Sequence, residues 1–77
     1  MQSVVLSHFN DLRRQKAAME KRDLSMRTVA RETEIALSTL IRVASSDTVS
    51  GVRVSTIEKL CGYFGVGIGE LIEYRKD

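Results

Sequence analysis

The residues with recognition chemistry lie between Leu37 and Ser45. If Leu40, Val43 and Ala44 face a core, the helical period puts Leu37, Ser38, Ile41, Arg42 and Ser45 on the opposite side. That face offers one planar fork of N–H donors, two short hydroxyls and two aliphatic side chains. Such a set binds a surface; it has no proton shuttle or nucleophile with a base. His8 is the single histidine and Cys61 the single cysteine. They supply neither a Ser/His/Asp set nor the ligand count of a zinc site. The expectation is no catalytic residue, no metal, no cofactor and no enzyme. His8 reads as a surface or helix-terminal histidine. Cys61, at helical core spacing with Leu60 and Phe64, reads as a small buried apolar residue. Gly65-Val66-Gly67-Ile68-Gly69 lacks a following Lys-Ser/Thr and joins two helical patterns, so it reads as an interhelix turn.

Positioning that face falls to a short chain. Seventy-seven residues fit one domain, 1–77, with a limited core. At 43 % apolar and 29 % charged residues the composition is that of a soluble globular protein. No apolar run approaches the ~18 residues of a membrane span, and no secretory leader is legible. A lone thiol suits the cytoplasm. The net charge is only +2 and is uneven: residues 1–56 carry nine Lys/Arg against six Asp/Glu, residues 57–77 three against four. The basic excess belongs to the part holding the candidate face.

Without proline, breaks must come from glycine and capping residues. Val5, Phe9, Leu12, Lys16 and Met19 are spaced as one helical stripe, predicting a first helix that begins near Ser7 and runs to about Arg22. The alternative to a helical start is a short strand over Met1–Leu6, because Val4 and Val5 are β-branched. Ser25 is the expected N-cap of a second helix, about Met26 to Thr33, with Val29, Ala30 and Thr33 inward. Glu34-Ile35-Ala36 is a turn, with Ile35 plugging the gap between helices. A third helix runs from about Leu37 to Ala44 or Ser45. A Ser-, Thr- and Gly-rich loop, Ser45 to Val54, leads to a fourth helix burying Ile57, Leu60, Cys61 and Phe64, stopped by Gly65. A fifth, from Gly67 or Ile68 to about Tyr74, is expected to bury Ile68, Leu71 and Ile72, ahead of a frayed tail Arg75-Lys76-Asp77. The fold class is all-α, a bundle of about five short helices with a helix-turn-helix at about 25–45.

These residues carry a family likeness. Leu24-Ser25, Val29-Ala30, Thr33, Ile35, Ser38-Thr39-Leu40 and Arg42 resemble the Cro/repressor-type (XRE-like, lambda repressor-like) helix-turn-helix domains of phage and bacterial regulators. Thr56-Ile57-Glu58-Lys59-Leu60-Cys61, Phe64-Gly65-Val66 and Gly69-Glu70-Leu71-Ile72-Glu73-Tyr74 are similar to the last two helices of the small single-domain branch. The likeness covers about residues 9 to 74. It implies a transcriptional regulator, a repressor or autoregulator, that lays its third helix in the major groove of double-stranded DNA as a homodimer. It also implies a bacterial or phage-encoded, cytoplasmic, nucleoid-associated protein without membrane attachment.

By that resemblance Leu37, Ser38, Ile41, Arg42 and Ser45 occupy positions that meet base edges, and Thr39 counts among the DNA-binding residues. Arg27, Thr28 and Arg53 would grip the backbone, helped by Thr48, Ser50 and the loop amides. Arg42 can fork onto O6 and N7 of a guanine, whereas Leu37 and Ile41 can meet only apolar groups such as thymine methyls. The chain departs from the family pattern in three places. Glu34 stands where glycine is usual, at a left-handed cost of roughly 1 kcal/mol or more. Ala36 replaces a capping Ser or Thr, about 1 kcal/mol. Met26 replaces a glutamine. Leu37 and Ile41 beside one arginine also fit a different class, an antitoxin-like or adaptor module that binds a protein partner.

Overall fold

The computed structural model describes residues 3–76. All five expected helices are present: α1 Phe9–Glu20, α2 Met26–Thr33, α3 Leu37–Ala44, α4 Val54–Phe64 and α5 Ile68–Leu71. Two strands, β1 Ser3–Ser7 and β2 Ile72–Lys76, add a small antiparallel sheet in which Val5 faces Tyr74 and Ser7 faces Ile72. The strand reading of the N-terminal segment is therefore the right one. The fifth helix is one turn long and stops at Leu71, not near Tyr74. Arg75 and Lys76, expected to fray, belong to β2. Met1, Gln2 and Asp77, included in the strand and tail expectations, lie outside the described residues.

Local chemistry explains the helix ends. Ser25 caps α2, its hydroxyl accepting from the Thr28 amide at 3.1 Å. Lys21 turns left-handed (φ 54°), and the Arg22 and Lys21 amides close onto the Ala17 and Ala18 carbonyls of α1. Gly65 (φ 69°) ends α4 in the same way, with the Val66 amide on the Cys61 carbonyl. At α5 the Glu70 carboxylate accepts from the Gly67 amide at 3.0 Å.

The core is built from Phe9, Leu12, Leu24, Val29, Leu40, Val43, Val49, Ile57, Leu60 and Leu71. Phe9 is fully buried and meets Phe64 edge to face at 5.6 Å. Two expected core positions fall outside: Met19 is 83 % and Ile68 57 % exposed. Met19 lies in the last turn of α1, at the lip of a groove shared with Phe64 and Val66. Ile68 opens α5 and is followed by too little helix to fold it inward. Lys16, the charged member of the α1 stripe, sits 4.6 Å from the Tyr63 ring centroid and donates to the Tyr63 carbonyl at 3.2 Å. Cys61 and Ala30 are half-buried against the core.

A polar clamp closes α1, α2 and α4 together. Arg22 forks onto Glu32 at 2.6 and 2.8 Å and also bonds Glu20, while the Tyr63 hydroxyl donates to Glu32 at 2.6 Å. The Arg22 guanidinium, then the Tyr63 hydroxyl, hold the Glu32 carboxyl down at about 2. Burial, then the Glu32 carboxylate, push the Tyr63 phenol up to about 12. A depressed carboxyl favours the fold above its unfolded pKa of 4.5, so this contribution is expected to fade as pH falls from 4.5 towards 2. A raised phenol favours the fold below 10, so its contribution is expected to fade as pH climbs from 10 to 12. Urea midpoints across pH check both limbs, and Glu32→Gln should flatten the acid one.

Candidate nucleic-acid interface

The α2–turn–α3 unit is fixed by one buried hydroxyl. Thr33 donates to the Val29 carbonyl at 2.7 Å and accepts from the Ile35 amide at 3.3 Å, tying the end of α2 to the turn. Glu34 then takes the left-handed conformation (φ 59°, ψ 30°) that the family pattern reserves for glycine. Ile35 is half-buried against the core, as expected of the plug. Ala36 sits at the N-cap of α3 with no side-chain bond, so this helix starts without a cap. Glu34→Gly is expected to stabilise the fold by up to about 1 kcal/mol, the left-handed cost less the extra freedom of an unfolded glycine. A thermal melt should show a midpoint several degrees higher.

The C-terminal end of α3 is held from outside the motif. Its last carbonyls lack partners within the helix. The Ser7 hydroxyl donates to the Val43 carbonyl and the Thr48 hydroxyl to the Arg42 carbonyl, the latter at 2.7 Å. β1 is bolted to the same place by a 2.9 Å bond from the Ser7 amide to the Ser46 hydroxyl. Thr48 was expected to reach phosphate, but its proton is committed to positioning α3. Val49, 1 % exposed, pins the loop into the core and makes it a short 3-10 turn, Val49–Gly51.

Outward, the face expected from the sequence is open. Ser38, Ile41 and Arg42 are exposed, and Leu37, Thr39 and Ser45 are half-buried; Leu40 and Val43 are fully buried beneath. Thr39 and Arg42 share an open recess with Arg53 and Thr56. Thr39 and Thr56 also border a second recess, with Glu34, Ser55 and Lys59. The first half of α4 thus borders the same recesses as Thr39, and Thr56 and Lys59 join the candidate site although sequence reasoning assigned them no contact. Only their place one and two turns after Arg53 could have signalled it. Arg27 and Thr28 stand on the first turn of α2 and line neither recess; Arg27 is exposed and Thr28 is held by Ser25.

Charge is sorted by element. Arg14, Lys16, Arg22 and Arg75 are ion-paired, and Arg13 is hydrogen-bonded to Asn10 and the Leu24 carbonyl. Among the described residues Arg27, Arg42, Arg53 and Lys59 have no ion pair, and three of these four line the two recesses around Thr39. Lys21, Arg31 and Lys76, at the α1 C-cap, the last turn of α2 and the end of β2, are likewise outside ion pairs. Cations without an internal carboxylate attract an external polyanion most effectively.

A family model for the Cro/C1-type HTH DNA-binding domain matches residues 16–77. The chain belongs to that family. Its α2–turn–α3 unit lies within the matched residues, and the Cro/C1-type domain is a DNA-binding one. No curated protein and no solved structure gives a significant match. Among the described residues, no group of three or more His, Cys, Asp or Glu could hold a metal, and no helix is long and apolar enough to cross a membrane.

Proposed function

We propose that this Cro/C1-type chain is a sequence-specific transcriptional regulator, a repressor or autoregulator, that reads the major groove with α3. The observation carrying the reading is the convergence of Arg42, Arg53 and Lys59, all outside ion pairs, around an exposed helix face. In this reading Leu37, Ser38, Thr39, Ile41, Arg42 and Ser45 meet base edges. Arg27, Thr28, Arg53 and Lys59 meet the backbone. The protein acts as a homodimer in the bacterial cytoplasm on half-sites roughly 34 Å apart, as two copies of one reading helix require. Exposed Ile68 and Tyr74, at the α5–β2 end, are the candidate dimer contacts.

Selection of duplexes from a random pool, followed by anisotropy titration at several salt concentrations, tests the proposal. Three phosphate-binding cations predict a log–log salt slope of about −3 per protomer. A recovered pool without a shared sequence, or no binding even at low salt, overturns it. The adaptor reading uses the exposed Ile41 instead; it predicts that no duplex is recovered.

A further inference from the structure

We propose that Glu34 is an electrostatic brake on backbone binding, weakening the hold of Lys59 on phosphate whatever the base sequence; this rests on the DNA-reading function proposed above. The two recesses around Thr39 differ in charge. One is bordered by Arg42 and Arg53 and by no carboxylate. The other, of about 380 Å³, is bordered by both Glu34 and Lys59, with the hydroxyls of Thr39, Ser55 and Thr56 between them. Its single cation is therefore offset by a single anion. Glu34 and Lys59 are both exposed and form no ion pair, so each still acts on whatever enters the recess. Inside the fold Glu34 contributes little. It holds a left-handed conformation (φ 59°), and among the described residues its carboxylate has no hydrogen bond or ion pair to compensate for that strain. Lys21, the other left-handed residue that is not glycine, borders neither recess. A phosphate drawn to Lys59 thus meets a like charge within roughly a Debye length, ~10 Å at 0.1 M salt. The repulsion takes no account of base sequence and lowers every complex alike. Only a duplex that also satisfies the reading face of α3 is held in spite of it.

The test titrates wild type, Glu34→Gln and Glu58→Gln against a selected and a scrambled duplex by anisotropy, from about 50 to 200 mM salt. Glu34→Gln removes the charge and keeps the size of the side chain. Glu58→Gln makes the same change of net charge at an exposed residue that borders neither recess. Glu34→Gln is expected to bind both duplexes about two- to fivefold more tightly at the lowest salt. The gain should shrink as salt rises, with the log–log slope steeper by up to about one per protomer. Glu58→Gln should gain less than about 1.5-fold. Glu34→Gly, which removes the carboxylate and relaxes the backbone, should reproduce the gain, with circular dichroism showing every variant folded. Unchanged affinity in both Glu34 variants, or an equal gain in Glu58→Gln, overturns the brake while leaving DNA reading intact. A gain confined to the selected duplex and insensitive to salt overturns it as well, because Glu34 would then obstruct a base. No binding of any duplex by any of these chains removes the function on which the inference rests.

Discussion

Replacing Arg42 with alanine is expected to lower affinity for the selected duplex by roughly 5- to 150-fold per half-site, the range for losing one bidentate contact to a base. The guanidinium is exposed and has no hydrogen bond or ion pair among the described residues, so the melting temperature should stay within about a degree. Binding to unrelated DNA should fall much less, because Arg27, Arg53 and Lys59 keep the electrostatic attraction. Arg42→Lys separates charge from shape. It retains the cation but loses the planar fork, so it should recover non-selective binding and leave the selected duplex poorly distinguished. Competition titrations of wild type and both variants against selected and scrambled duplexes measure these ratios. An alanine variant that lowers both affinities equally would make Arg42 a backbone contact.

The second large effect is on stability. Phe9→Ala removes a fully buried ring that packs edge to face on Phe64 and stands where β1 meets α1. Such truncations cost about 3–5 kcal/mol, and a domain of this length has only about 4–12 kcal/mol in total. The variant should therefore be largely unfolded or lose most of its urea midpoint at 25 °C. Loss of the ring would also slacken the junction from which Ser7 holds the end of α3. DNA binding should fall with the folded fraction. Phe9→Leu, which keeps most of the apolar volume, should recover most of the stability.

The helix-turn-helix was legible because its determinants are local. Ser25 caps, Thr33 and Ile35 close the turn, and Leu40 and Val43 set the face of α3, all within about twenty residues. Even the departures proved readable: Glu34 is left-handed and Ala36 caps nothing. What escaped was non-local. β1 and β2 pair Ser3 with Lys76 across nearly the whole chain, and runs of five residues do not distinguish strand from helix by periodicity. A helical reading of Ile72 to Tyr74 was therefore natural, although those residues gain more by completing a sheet with Val5 and Ser7.

The site shows the same division. The outward face of α3 follows from helical period alone, so Ser38, Ile41 and Arg42 stand where expected. Its supports do not. Ser7 reaches the Val43 carbonyl from 36 positions away, and Thr48 turned from a presumed phosphate donor into a brace for the Arg42 carbonyl. Lys59 and Thr56 come near Thr39 only because the start of α4 borders the same two recesses, a juxtaposition that no spacing within α4 reveals.

The central claim, that DNA lands on the exposed side of α3 and the adjoining start of α4, is tested most directly by titrating the isotopically labelled chain with a selected duplex and following backbone amide shifts. The account predicts perturbations at Leu37–Ser45, at Arg53–Lys59 and at the first turn of α2. Shifts centred instead on the groove of Leu12, Met19, Phe64 and Val66, with α3 unmoved, would contradict it.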